Sequence, residues 1–262
     1  MKSTLKRIVY PALNSAATIN RMPFRFILML VTARSGSTLL QHILTTHPDI
    51  NGYGEAKTRI ATTNDLAYLA GRILYYQLRH RVSRNKNAVY MLDKVAHNHL
   101  LEPDDAGLLN DPRISTIFLI REPVSSIDSY MKAFGDDTQQ AASYYRGRLQ
   151  TLTECVQRMD GSGNAFFLDH RQLIDDTSAV LRSLEQFLGL SEPLTAAYRV
   201  HSMTGNPRIG DKSPHIEKGV IDRQVARQPR PDLPPDILER TTTAYESASR
   251  ALSESCKTIA RA

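Results

Sequence analysis

The residues with the densest chemistry in this chain form a short polar set, Arg34-Ser35-Gly36-Ser37-Thr38. The set follows an unbroken apolar run, Phe26 to Val31, that reads as a strand buried on both faces. It leads into Thr38-Leu-Leu-Gln-His-Ile-Leu44, where apolar residues recur at helical spacing. Strand, tight loop and helix start aim free backbone N–H groups and the positive helix end at one spot, which is how a phosphate or sulfate is held. Arg34 adds a full charge, and Ser35, Ser37 and Thr38 add hydroxyl donors beside Gly36. The nucleotide-kinase version of such a loop, G-x-x-x-x-G-K-[ST], is absent: no Gly-Lys-Ser or Gly-Lys-Thr occurs in the chain. A loop for one phosphate or sulfate, without a metal, is the better expectation. The competing reading is a strand–turn–helix whose Ser and Thr only cap a helix.

A second segment repeats the arrangement. In Arg113-Ile-Ser-Thr-Ile-Phe-Leu-Ile-Arg-Glu-Pro-Val-Ser-Ser-Ile-Asp-Ser129, Arg121 falls where a strand ends and Pro123 suits the first turn of a helix. Ser129 follows two turns along, while Val124, Ile127 and Met131 are spaced for burial. An arginine at a strand end with a helical serine makes a second anion site. Ligands of open α/β sheets bind at this carboxyl edge of the strands.

The elements that must position these groups alternate along the chain. Strands are expected at 24–32, 88–92, 114–120 and 165–169, and helices at 38–46, 63–82, 123–133, 138–158, 177–188 and 236–260. Residues 47–60 and 200–235, rich in Pro, Gly and charge, read as loops. The pattern predicts one α/β domain over 24–262, a parallel sheet of four to five strands covered by helices on both faces. Residues 1–23 read as an N-terminal extension; their apolar part is too short and polar for a signal peptide, and a basic interfacial helix is the alternative to a loosely packed tail.

Composition sets further bounds. The 262 residues can bury a sizeable core. The two cysteines, Cys155 and Cys256, lack metal-ligand spacing and demand no oxidising compartment, so no metal site and a cytoplasmic setting are expected. No apolar run is long enough to span a bilayer, which leaves only peripheral membrane contact. The net charge of +6 is scattered; its densest run, Arg79 to Lys86, has no aromatic-rich nucleic-acid signature and reads as a solvated helix end.

The two anion motifs together resemble those of sulfotransferases that use 3′-phosphoadenosine 5′-phosphosulfate (PAPS). In that family the first loop, R-S-G-[ST]-T, grips the 5′-phosphosulfate, and the second, R-x-P…S, grips the 3′-phosphate. Arg34 to Thr38 match the first, and Arg121, Pro123 and Ser129 match the second. His47-Pro-Asp-Ile50 with Gly54-Glu55 is similar to the H-P-x-[IV]…G-E run of the tyrosylprotein and carbohydrate branches. Asp93-Lys94 resembles their central strand-end lysine, and Phe166 to Leu190 resembles a shared strand–helix unit. The likeness covers residues 24 to 220 and implies a P-loop NTPase-like sulfotransferase fold, with PAPS as donor and 3′,5′-bisphosphoadenosine (PAP) as product.

Sulfuryl transfer needs a base for the acceptor hydroxyl and positive charge for the equatorial and leaving oxygens. The resemblance implies Lys94 for the charge and offers two bases. Glu55 matches the glutamate of the tyrosylprotein and carbohydrate branches. His97 is similar to the cytosolic branch's histidine, which follows its lysine at a spacing of two rather than three. Glu55 is preferred, with His47 and His99 read as structural. In the late loop, Gly205 to Gly219 is similar to the segment that closes over the nucleotide, where Lys212 or Arg208 would meet the 3′-phosphate. The acceptor expected is a hydroxyl of a carbohydrate, glycolipid or small molecule, with no nucleic-acid partner. A metal-dependent nucleotide kinase, or a non-catalytic module binding a nucleotide or an acidic polymer, are the alternatives on the same fold.

Overall fold

The computed structural model describes residues 24–79, 85, 87–161, 163–200, 216–221 and 232–259. Five strands form one sheet: β1 (Arg25–Val31), β2 (Ile50–Gly52), β3 (Tyr90–Val95), β4 (Ile114–Ile120) and β5 (Ala165–Asp169). Their order is β2-β3-β1-β4-β5, and every pairing is parallel. β1, β3 and β4 carry apolar residues on both faces because helices cover both. On one face Ile27, Met29 and Val31 pack with α1 (Ser37–Thr46) and α6 (Thr177–Leu188). On the other, Phe26, Leu28 and Leu30 meet α2 (Thr63–Arg79), α3 (Pro123–Phe134), α4 (Thr138–Gln157) and α7 (Pro235–Ser255).

The topology places the anion motifs side by side. From β1 the chain runs out to edge strand β2, returns through β3, then crosses to β4 on the other flank of β1. β1 and β4 end level, with Val31 opposite Leu119, so Arg34 and Arg121 emerge at the same edge. This is the switch point where open α/β sheets bind ligands.

The differences from the sequence reading have local causes. The expected 47–60 loop contains β2, a three-residue strand whose Asn51 and Gly52 give no hydrophobic alternation. β3 extends past the expected end at 92, so Asp93 and Lys94 lie within it, buried. They remain in the strand because the ladder with β1 runs on through both, while Ala56 and Glu55 give their side chains partners. A short helix, α5 (His170–Asp175), follows β5; its capping box joins Asp169 to Gln172. The last helix stops at Ser255, short of the expected 260, because Lys257 pairs with the outer edge of β5: its N–H donates to Ala165 O at 3.0 Å and its carbonyl accepts from Phe167 N–H at 2.8 Å. That contact covers an otherwise open strand edge.

Candidate active site

The loop after β1 is built to leave a helix end open. Gly36 stands at the N-cap of α1 with φ 81°, and no side chain caps the helix. Ser35 closes the turn instead, its hydroxyl donating to Thr32 O at 2.7 Å, and it is fully buried. Of the hydroxyls expected at the ligand, Ser37 and Thr38 therefore stand on the first turn of the helix, while Ser35 serves the loop. A Cβ on Gly36 would lie 2.6 Å from Cδ2 of His170, the first residue of α5, so glycine is required for both space and conformation. Arg34 also holds a left-handed backbone, φ 65°, which costs a side-chain-bearing residue about 1–2 kcal/mol.

Arg34 points across to the second motif. Its Nε donates to Ser129 Oγ at 2.9 Å, and Arg121 donates from its guanidinium to Arg34 O at 3.1 Å. Arg34, Arg121 and Ser129 thus form one cluster rather than two separate grips. Arg121 O is held by Tyr145 OH at 2.5 Å and Ser126 Oγ at 3.2 Å. The helix after β4 differs from α1 at its start: the Glu122 carboxylate accepts from Ser125 N–H and fills its own N-terminus.

The third group lies at the ends of β2 and β3. Lys94 Nζ is 3.1 Å from Glu55 Oε1 and donates to Thr38 Oγ1 at 3.3 Å, joining the carboxylate to the first turn of α1. His97 Nε2 is 3.9 Å from the other Glu55 oxygen, so the two base candidates sit on one carboxylate–imidazole contact. Successive residues of β3 face opposite sides, and segment 53–56 runs beside it past β2. Glu55 therefore reaches Lys94 on one face, while Ala56 N–H donates to Asp93 Oδ1 at 2.7 Å on the other. Gly54 O accepts from Gln41 Nε2 at 3.1 Å, fixing the glutamate from its other side. Burial, with Glu55 nearby, pushes the Asp93 carboxyl up to about 7. Burial also lowers His97, against the opposing pull of Glu55. The His47 ring joins Asp49 N–H to Glu192 O.

Two residues outside every sequence motif tie these parts together. Tyr144 OH accepts from Ala33 N–H at 3.1 Å and donates to Ala96 O at 2.9 Å. Arg148, 1% exposed, donates to Val31 O, Val95 O and Asn98 Oδ1. Both come from α4, whose polar composition hides them; their i, i+4 spacing is the one signal that they share a face. Lys212 and Arg208 lie outside the described residues. Among the described residues no group of three His, Cys, Asp or Glu is placed to hold a metal ion, and no helix is long and apolar enough to cross a membrane.

An open helix end flanked by Arg34, Arg121 and Lys94 can bind a ligand with several anionic groups, and a carboxylate beside it can take a proton. Comparisons with known proteins agree. No curated protein sequence matches the chain. The sulfotransferase domain from the curacin biosynthetic pathway superposes with a TM-score of 0.57 at 16% identity, over 86% of this chain and 98% of that one. The sulfotransferase domain of the Synechococcus PCC 7002 olefin synthase gives 0.57 at 19% identity, over 86% and 94%. Mouse sulfotransferase SULT7A1, complexed with PAP, gives 0.50 at 11% identity, over 93% and 95%. These likenesses establish the fold; the family model for the sulfotransferase domain matches residues 25–255, and the chain belongs to that family.

Proposed function

We propose that the chain moves a sulfuryl group from PAPS to a hydroxyl of a carbohydrate, glycolipid or small-molecule acceptor, in the manner of the tyrosylprotein and carbohydrate branches. The observation that carries this reading is the Glu55–Lys94–Thr38 chain, which sets a carboxylate and an ammonium against the open end of α1. A donor with a 3′-phosphate and a 5′-phosphosulfate needs contacts for both anionic ends on one edge, and the open α1 terminus and the Arg34–Arg121–Ser129 cluster are the candidates for them. The mouse sulfotransferase of the same fold is complexed with PAP. The uncapped α1 terminus fits such a ligand. When bound, the donor supplies the sulfuryl group and a phosphate leaving group that needs little protonation.

The chain's residues divide the rest. The N–H groups at Gly36, Ser37 and Thr38 hold the 5′ side, and Arg121, Ser129 and Arg34 hold the 3′-phosphate. Lys212 contributes from the late loop. Lys94 places positive charge where negative charge develops on the leaving oxygen. Glu55 accepts the acceptor proton, and His97 borders the same carboxylate. His97 as base is the second reading, favoured by its 3.9 Å approach to the same group.

Transfer of radiolabelled sulfate from PAPS to a panel of hydroxyl acceptors tests the assignment. Glu55→Gln is expected to bind PAP normally and to lose about 10²–10⁴-fold in kcat, the range for a positioned base, while His97→Asn is mild. Retained transfer in Glu55→Gln with loss in His97→Asn would reverse the two roles.

A further inference from the structure

Arg148 is a buried cation without a carboxylate. Among the described residues it has no ion-pair partner, and its surroundings are Tyr144, Cys155 and backbone carbonyls. Such a charge is expensive to bury, so its hydrogen bonds must be returned by something the fold needs. They go to carbonyls at the last residues of two strands: Val31 O, at 2.9 Å, ends β1, and Val95 O, at 2.6 Å, ends β3. Its third bond, to Asn98 Oδ1 at 2.9 Å, reaches the turn just after His97. One helical turn earlier, the Tyr144 hydroxyl joins the residue preceding Arg34 to the residue preceding His97.

We propose that Tyr144 and Arg148 are positioning residues that clamp the anion loop after β1 to the end of β3 and the turn that follows it, setting the distance between the donor grip and the Lys94–Glu55 pair. The inference rests on the proposed function of that site. β1 and β3 are already paired through Leu30 and Val95, but the pairing stops there. Beyond it the ladder no longer ties the two chains, and Lys94 Nζ reaches across to Thr38 Oγ1 at 3.3 Å. Tyr144 and Arg148 add five hydrogen bonds from one helix to the two segments. The planar guanidinium suits this task because its donors point in fixed directions to several acceptors. Tyr144 is in turn held by stacking on Tyr130 of α3, at 4.5 Å between ring centroids, next to Ser129.

The test uses the full chain with Tyr144→Phe, which keeps the stacked ring and removes the hydroxyl, and Arg148→Lys, which keeps the charge and loses the fork. Hydrogen exchange is read in peptides covering 31–38 and 94–100 of the nucleotide-free protein. In Tyr144→Phe both peptides are expected to exchange faster together, with the rest of the chain unchanged. In transfer assays the same variant is expected to lose about tenfold in kcat or more, as for a misplaced reacting group, with PAP affinity within about threefold. A residue that only stabilised the fold would lower the melting temperature and leave the kcat of folded protein intact. Unchanged exchange in both peptides, or in one of the two, overturns the clamp. Normal kcat in Tyr144→Phe overturns it too. Arg148→Lys is expected to show the same joint loosening; should it fail to fold, Tyr144→Phe alone decides. Coupled loosening in a chain whose wild type binds no PAP would instead refute the reading of the site and leave the clamp standing.

Discussion

Arg34 Nε donates to Ser129 Oγ at 2.9 Å, although the two residues are 95 positions apart in the chain. The bond joins the loop after β1 to the helix after β4 and makes the two anion motifs one structure. The motifs therefore cannot be mutated independently.

A double-mutant cycle measures that coupling. Arg34→Ala removes a charge-assisted donor worth about 1.5–3 kcal/mol and is expected to weaken PAP binding by roughly one to two decades. Ser129→Ala is expected to cost less, and the pair to depart from additivity by at least about 0.5 kcal/mol. Arg34→Gly relaxes the left-handed backbone at φ 65° and should match Arg34→Ala in binding without unfolding the chain. Strictly additive losses, measured by calorimetry, would show that the bond joins two independent grips.

Asp93 gives the fold a pH dependence of defined sign. Its folded pKa is raised to about 7, chiefly by burial, from an unfolded value of 3.8. Its contribution is fully present below pH 3.8 and is lost as pH rises through about 7. Asp93→Asn keeps an acceptor for Ala56 N–H and removes this titration. The difference in melting temperature, variant minus wild type, should grow in favour of the variant between about pH 4 and about pH 7, and then level off. A difference that is flat with pH would count against the buried, raised carboxyl.

Gly36→Ala tests the cradle. The added methyl meets the His170 ring at 2.6 Å in a backbone of φ 81°, so a loss of about 1–3 kcal/mol in stability and at least about tenfold in PAP affinity is expected. His170→Ala in the same background removes the clash but not the backbone strain, and should restore part of the stability in denaturant titrations. Full stability in the single variant would mean that the loop packs differently.

Much of this is legible in the sequence because it depends on local pattern. The apolar runs of β1 and β4, each followed by a small polar loop and a helix, mark both anion motifs. β5 and α6 fall on their expected residues for the same reason. What escapes a sequence reading depends on contacts between distant segments. β3 looks finished at Leu92 because the partners of Asp93 and Lys94 come from residues 53–56. That Arg34 meets Ser129 of the second motif is invisible until the fold sets the two side by side. Arg148 reads as one more charge on a polar helix, and only the sheet's carboxyl edge shows why it is buried. Glu55 and His97 are rivals in the sequence, while the fold sets them against each other within 3.9 Å.

The most direct test of the account is calorimetry of PAP against AMP, without Mg²⁺, on wild type and on Arg121→Ala. If Arg34, Arg121 and Ser129 form one 3′-phosphate grip, PAP binds wild type at least about tenfold more tightly than AMP, and Arg121→Ala brings the two together. Equal affinities for PAP and AMP in the wild-type chain would contradict the account.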